Sequence, residues 1–208
     1  MKRWACTSMW LLGCLFAVQV MAAAASPEDV VKTTTDSVLA RVKSEEATLK
    51  ADTSKLYALV DELIIPHFDF ERASQLVLGK YWRTADEAQR SRFQAAFKEL
   101  MVRTYANALF QYVDQKVDYK PSLRDASGER VVVRTEIIKP GETPIPVNYR
   151  MHMKDGEWKV YDVYVDGISL IVTYRQSFAS EIRQSGLDSL IVHMQDNNQK
   201  LTAKADTQ

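Results

Sequence analysis

Cysteine is almost absent from this sequence of 208 residues, and its two cysteines, Cys6 and Cys14, both lie within the first 25 residues. If that segment is removed, the remaining chain has no thiol, no disulfide and no thiolate that could bind a metal. Stability must then come from a hydrophobic core, and 46% hydrophobic residues are enough to build one.

An excess of either charge is also absent, because Lys+Arg and Asp+Glu both total 27. A nucleic-acid-binding protein normally has a basic patch, so we expect no nucleic acid partner. The three histidines, His67, His152 and His193, do not have the spacing of metal ligands, and we expect no metal and no cofactor. His152 is expected to be solvated on the polar side of a strand.

Motifs of catalysis are missing as well. The Gly167–Ile171 segment resembles a nucleophile elbow only superficially, since the second glycine is absent, and Ser169 is better read as a helix N-cap. Asp162 is a single acid among apolar neighbours, and we expect it to pair with an arginine or a backbone N–H rather than to act in an acid–base pair. No catalytic residue is predicted.

The first 25 residues have the pattern of a cleaved signal peptide. Lys2 and Arg3 precede an apolar run over 4–21, and alanines at 22–25 offer a cleavage site. A lipobox at 11–14 and an uncleaved membrane anchor are the alternatives. Cleavage leaves a single domain over 26–208 with 25 basic and 27 acidic residues, a net charge of −2. Export without disulfides is typical of a bacterial periplasmic protein.

Helical segments dominate the first half of the chain. Ser26 followed by Pro27 predicts a helix that runs toward Lys50, and Asp52 or Thr53 predicts a second one that ends before Pro66. A short helix ends at Gly79, and a capping box at 84–87 begins a long helix over about 85–113.

After Gln115 the hydrophobic period changes to two, which predicts four antiparallel strands. These strands cover about 117–123, 131–138, 147–153 and 157–165. Asp155-Gly156 is a strong signal for a two-residue hairpin between the last two strands.

The segment 157–186 links this sheet to a helix. Asp166-Gly167 ends the fourth strand, Ser169 caps the helix, and Ile171, Tyr174, Phe178 and Ile182 form its apolar stripe. A last amphipathic helix follows Gly186, with a polar tail from about residue 200 that is expected to fray. The order of elements indicates an α+β fold in which an apolar helix covers the sheet. The space between them is either solid core or a pocket.

Three segments, LIIPHFDF at 63–70, LGKYW at 78–82 and VYDVYVDGISL with YRQSF at 160–178, resemble the MlaC family. The resemblance spans about 28–198. Members are periplasmic phospholipid carriers of the maintenance-of-lipid-asymmetry pathway, also called toluene-tolerance auxiliary proteins. The resemblance implies a four-stranded curled antiparallel sheet that packs against about six or seven helices and encloses an apolar pocket with them.

The resemblance also implies a role and partners. A carrier of this kind moves phospholipid between an outer-membrane lipoprotein, MlaA, with its porin, and an inner-membrane ABC transporter whose MlaD subunit receives the carrier.

A carrier must keep acyl tails away from water, because exposing one C16 acyl tail to water costs about 10 kcal/mol at roughly 0.8 kcal/mol per methylene. Two tails fill about 800 Å³, which is within the usual range of ligand pockets.

The residues expected to line the pocket are apolar or aromatic and come from the long helix, the sheet and the helix after Ser169. They are Met101, Tyr105, Leu109, Val133, Tyr149, Met151, Trp158, Val163, Ile171, Tyr174 and Phe178. Arg103, Arg150 and Arg175 are candidates for contact with the headgroup, although Arg175 could instead anchor Asp162 or a helix end.

Two other interpretations remain open from the residues alone. A small-molecule enzyme, a hydrolase or an isomerase, could use the same pocket, in which case Asp162, His67 and Ser169 should converge. An interaction module with a solid core and no ligand is the third interpretation, and the presence of a cavity distinguishes it from a carrier.

Overall fold

The protein is described by a computed structural model that covers residues 25–205, with side chains as far as Ala203. The predicted signal peptide, apart from Ala25, and residues 206–208 lie outside the described residues. None of the helices within 25–205 is long and apolar enough to cross a bilayer.

The described part is an α+β fold in which helices precede and follow one antiparallel sheet, as the sequence predicts. The helices are α1 (Pro27–Ser44), α2 (Glu46–Ala51), α3 (Thr53–Leu63), α4 (Phe70–Leu78), α5 (Lys80–Thr84), α6 (Glu87–Tyr105), α7 (Leu109–Tyr112), α8 (Leu170–Ser185) and α9 (Leu187–Ala205). Two short 3₁₀ turns, Ile65–His67 and Ala106–Ala108, connect α3 to α4 and α6 to α7.

The sheet is a meander in which consecutive strands are neighbours. Its strands are β1 (Lys116–Arg124), β2 (Arg130–Ile138), β3 (Ile145–Lys154), β4 (Glu157–Val165) and β5 (Ile168–Ser169). The first four strands confirm the prediction, and β5 is a fifth strand that the sequence did not indicate. Two residues are too few to show a period of two, and β5 exists because the turn at Asp166-Gly167 returns the chain to the edge of β4.

Both two-residue turns have the backbone expected for Asp-Gly. Asp155 and Gly156 have φ of 52° and 83°, and Asp166 and Gly167 have φ of 51° and 78°. Two consecutive residues with positive φ are typical of the type I′ hairpin, whose twist matches that of the flanking strands. The predicted hairpin is confirmed, and the predicted end of β4 is a second hairpin of the same kind.

The helix starts largely follow the sequence signals. The side chains of Ser26, Asp52 and Ser169 accept a backbone N–H at the starts of α1, α3 and α8. The predicted capping box is wrong by two residues: Thr84 ends α5, and Asp86 forms the box with Gln89 at 2.7 and 3.2 Å. An aspartate caps as well as a threonine, so the sequence allowed either register.

Two of the predicted helices are interrupted. The helix expected to run toward Lys50 breaks at Glu45 between α1 and α2, and the helix expected over 85–113 breaks after Tyr105. Neither break contains proline or glycine, so propensity gives no sign of it. After each break the chain packs against the buried residues of helices α1 and α3, through Leu49 of α2 and Leu109 of α7, and tertiary packing of this kind can override a local helical preference.

The buried apolar residues form three separate clusters. The helical cluster joins α4, α6, α8 and α9 around Phe93, Phe97 and Phe178. The rings of Phe93 and Phe97 are stacked, and Phe178 packs edge to face against both. The N-terminal cluster joins α1–α3 to the end of α6. The sheet cluster packs Val131, Val133, Met151, Trp158 and Val160 against Val31 of α1. A core divided in this way leaves space where the three clusters meet.

Candidate functional site

A cavity of about 300 Å³ lies at the meeting point of the three clusters. Its wall includes Ala73, Phe97 and Ile171 of the helical cluster and Val60, Val102 and Ala106 of the N-terminal cluster. Phe68, Tyr149 and Val163 complete it from the side of the sheet cluster. The cavity therefore separates the sheet from the helices, as the pocket interpretation of the sequence requires.

The cavity wall is almost wholly apolar. Among the described residues that line it, Asp162 is the one charged side chain. The other polar groups are tyrosine hydroxyls, and burial raises the pKa of Tyr149 to about 12, so that its hydroxyl stays neutral. An apolar wall with few polar groups suits an apolar ligand.

One side of the cavity reaches solvent. Tyr105 at the end of α6 and Val165 at the end of β4 both line the cavity, and they are 40% and 39% exposed. The hydroxyls of Tyr105 and Tyr174 lie 3.5 Å apart and join α6 to α8 there. Ile168, which pairs with Val165, is 63% exposed. The apolar surface of the cavity thus continues onto the outside of the protein.

The structure divides the eleven residues that were predicted to line the pocket. Six of them line the cavity: Met101, Tyr105, Leu109, Tyr149, Val163 and Ile171. Val133, Met151 and Trp158 are packed in the sheet cluster, and Tyr174 and Phe178 are packed in the helical cluster. Both groups consist of apolar or aromatic residues at the same helical or strand periodicity, so the sequence pattern cannot separate them. Contact of any of them with lipid stays a prediction.

Several lining residues were not predicted. Ile65, Phe68 and Phe70 all lie in the 63–70 segment that carries the family resemblance. That motif was the one sequence signal that could have indicated them. Ala73 and Ala106 contribute by being small, which leaves room for the cavity. Alanine is common in helices for its propensity alone, so no sequence signal marks these two.

The candidate headgroup residues have different surroundings. Arg103 forms hydrogen bonds with Glu99 at 2.6 and 2.9 Å, and Arg175 donates to the carbonyl oxygen of Leu76 at 2.6 Å. Arg175 therefore anchors the end of α4, one of the two alternatives. Arg150 lies 3.9 Å from Asp162, which confirms that Asp162 has an arginine neighbour.

Asp162 and Ser169 are in contact, but they do not form a catalytic arrangement with histidine. The Ser169 hydroxyl donates directly to the Asp162 carboxylate at 2.8 Å. His67 lies in the 3₁₀ turn after α3, where burial and the nearby Lys159 lower its pKa, and none of its described hydrogen bonds reaches either residue. Within residues 25–205, no group of three His, Cys, Asp or Glu is arranged to hold a metal ion.

The expectation that His152 is solvated was wrong. Its side chain is only 18% exposed, and its Nε2 lies 3.0 Å from the carboxylate of Asp69, the N-cap of α4. The polar side of β3 is covered here by α4, which the alternation of the strand alone did not reveal.

Comparison with known proteins identifies the family. A sequence profile of the MlaC protein family matches residues 32–196. The chain is 27% identical over 198 residues to the intermembrane phospholipid transport system binding protein MlaC of Haemophilus influenzae, with 94% of this chain and 92% of the relative covered. It is 32% identical over 167 residues to the toluene tolerance protein ttg2D of Pseudomonas putida, covering 80% and 77% of the two chains.

A solved structure agrees with this. The phospholipid-binding protein from Ralstonia solanacearum, determined in complex with a phospholipid, superimposes with a TM-score of 0.78 at 36% identity. The match covers 85% of this chain and 99% of that one. The family profile matches residues 32–196 and the fold agrees over 85% of the chain, and the chain therefore belongs to the MlaC family.

Proposed function

We propose that this protein is a periplasmic phospholipid carrier that holds acyl chains in the cavity between sheet and helices. The observation that carries the proposal is the apolar cavity at the meeting point of the three clusters. It is supported by the relative from Ralstonia solanacearum, whose structure contains a phospholipid. A carrier needs to hide acyl chains from water and needs no catalytic step or cofactor.

The size of the cavity adds a condition to this proposal. Two C16 tails need about 800 Å³, whereas the cavity measures about 300 Å³. A diacyl lipid therefore fits if the clusters move apart or if part of its tails extends through the open side of the cavity. Three clusters separated by a cavity can move apart more easily than one continuous core, because fewer close-packed contacts must break.

We expect the purified protein to contain diacyl phospholipid. The full chain would be expressed with its leader, purified without detergent, extracted with organic solvent and analysed by mass spectrometry. Lipid at about one molecule per protein supports the proposal. Lipid-free protein that also takes up no fluorescent phospholipid from vesicles of phosphatidylethanolamine and phosphatidylglycerol would refute it.

A pair of matched variants tests whether the cavity is the site. Ala106→Trp adds an indole to the cavity wall and should reduce lipid content at least tenfold, while the protein stays folded. Ala95→Trp adds the same group to the exposed side of α6 and should leave lipid content unchanged. Equal lipid content in both variants would place the lipid elsewhere.

The location and the partners are parts of the same proposal. Cell fractionation should recover the protein, shortened by about 25 residues, with periplasmic markers; recovery at full length in the membrane would contradict this. Lipid-loaded protein should transfer its lipid to vesicles that contain the inner-membrane ABC transporter with its MlaD subunit, and apo protein should accept lipid from vesicles that contain MlaA with its porin. Equal transfer with empty vesicles would remove those partners from the proposal.

A further inference from the structure

Asp162 is a charged residue in the wall of an apolar cavity, which is an unfavourable place for a carboxylate. Its side chain is almost fully buried, and the residue as a whole is 3% exposed. Burial of an ionised group costs free energy unless hydrogen bonds or ion pairs compensate for it. A hydrophobic residue of similar volume would suit a wall that only had to contact acyl chains.

The hydrogen bonds of Asp162 connect β4 to the beginning of α8. One carboxylate oxygen accepts the Ser169 hydroxyl at 2.8 Å, and the other accepts the backbone N–H of Ile171 at 3.2 Å. The Ser169 oxygen in turn accepts the N–H of Val172 at 3.0 Å and so caps α8. Asp162 thus binds two groups at the start of one helix.

The first turn of α8 is also part of the cavity wall. Leu170 and Ile171 line the cavity, and further along the helix Phe178 and Ile182 are packed in the helical cluster. Asp162 therefore fixes the distance between a strand of the sheet and a helix of the helical cluster at the cavity itself. The other charged and titratable groups around it are Arg150 at 3.9 Å and, around the ring of the adjacent Tyr161, Arg72 and His152.

We propose that Asp162 is a positioning residue for lipid retention: by holding the first turn of α8 against β4, it keeps the cavity wall closed around the acyl chains. The cost of burying the carboxylate is visible in its pKa, which burial raises despite the Ser169, Ile171 and Arg150 contacts. This inference rests on the proposed function, because it concerns the rate at which bound lipid leaves.

The experiment measures release of a fluorescent phospholipid from the loaded full-length protein to excess acceptor vesicles of phosphatidylethanolamine and phosphatidylglycerol. Asp162→Ala removes both hydrogen bonds and should speed release about tenfold, which corresponds to about 1.4 kcal/mol. Asp162→Asn should release lipid within about twofold of the wild-type rate, because its amide can accept the Ile171 N–H and donate to Ser169.

A control variant separates positioning from general loss of stability. Asn198→Ala removes a buried hydrogen bond to the Ala96 carbonyl between α9 and α6, and Asn198 does not line the cavity. It should lower Tm but leave the release rate unchanged. If Asn198→Ala also releases lipid faster, in proportion to its loss of stability, then the faster release from Asp162→Ala reflects lower stability alone. That result would assign Asp162 a structural role only and overturn the inference.

The remaining outcomes are equally decisive. Release from Asp162→Ala at the wild-type rate, or release from Asp162→Asn as fast as from Asp162→Ala, contradicts the inference while leaving the carrier function intact. If Asp162→Ala does not fold, Ser169→Ala removes its hydrogen bond to Asp162 together with the cap of α8, and it should speed release about threefold; an unchanged rate contradicts the inference. Wild-type protein that binds no lipid would instead contradict the proposed function.

Discussion

Two buried carboxylates, Asp69 and Asp162, each attach the start of a helix to the sheet, and their surroundings differ. Asp69 caps α4, its backbone N–H donates to the Val160 carbonyl at 2.8 Å, and its side chain lies 3.0 Å from His152 and 3.1 Å from Lys154. Asp162 binds the start of α8 through neutral donors, with its nearest cation 3.9 Å away.

This difference reverses the direction of the pKa shifts. Burial disfavours ionisation of Asp69, but the Arg72 N–H, Lys154 and His152 outweigh it, so its pKa lies below the ordinary 3.8. At Asp162 burial is the larger effect, and its pKa lies above 3.8. A carboxylate among cations stabilises the fold as an ion, whereas one that faces an apolar cavity costs stability in its ionised form.

The largest expected effect on stability comes from removing the Asp69 side chain. Asp69→Ala removes the cap of α4, leaves His152 without its carboxylate partner and leaves Lys154 with the more exposed Glu71, which should lower the free energy of unfolding by about 3 kcal/mol. Urea denaturation at pH 7 measures this. Glu71→Ala removes a more exposed partner of the same Lys154 and serves as the control, with a loss of less than about 0.5 kcal/mol. Equal losses in the two variants would contradict the assigned role of Asp69.

A pH series tests the sign of the Asp69 shift. The pKa of Asp69 is lower in the folded protein than in the unfolded chain. The contribution of its carboxylate to the free energy of unfolding is therefore full above about pH 4 and disappears as pH falls through the folded pKa. Asp69→Asn should therefore be less stable than wild type at pH 7 by about 2 kcal/mol, and the gap should close at acidic pH. Urea midpoints from pH 2.5 to 7 measure it, and a gap that widens in acid would reverse the assignment.

The contribution of Asp162 to stability should change with pH in the opposite direction to that of Asp69. With a folded pKa above the unfolded one, the ionised carboxylate lowers stability once pH exceeds about 4. Asp162→Asn should therefore equal or exceed wild type at pH 7, by up to about 1 kcal/mol, and the two should coincide below pH 3. Thermal and urea unfolding of both proteins across this pH range measure the difference. A free energy of unfolding for Asp162→Asn that is more than about 1 kcal/mol below that of wild type at pH 7 would contradict the prediction.

The smallest expected effects concern the cations. Lys154→Met leaves Asp69 with one partner fewer, and because the Lys154 side chain is 37% exposed, solvent limits the loss to about 1 kcal/mol. Arg150→Met should change the free energy of unfolding by less than about 0.5 kcal/mol, since 3.9 Å is too long for a strong ion pair. A larger loss for Arg150→Met than for Lys154→Met would invert the comparison of the two carboxylates.

The sequence predicts the elements around both carboxylates well. The Ser169 cap, the two Asp-Gly turns and the end of α4 at Gly79 follow from local chemistry, because caps and positive-φ turns depend on one or two residues. The expectation that Asp162 binds an arginine or a backbone N–H is also confirmed. The pairing of Asp69 with His152 was not predicted, since 83 residues separate the two.

The cavity was predictable as an alternative, but its wall was not. Tyr149 lines the cavity and Met151, two residues further along the same side of β3, is fully buried in the sheet cluster. A period of two places both on one side of a strand but does not say which helix, or which empty space, lies above each. That depends on where α1, α4 and α8 pack against the sheet.

By itself the sequence determined the α+β class, the four long strands, most helix starts and the resemblance to the MlaC family, because these depend on local patterns and short motifs. Only the tertiary structure decided that the core is divided into three clusters with a cavity between them. It also decided that one buried aspartate lies among cations and the other against apolar space. Packing distances and the local dielectric environment arise from residues far apart in the chain, and no local pattern encodes them.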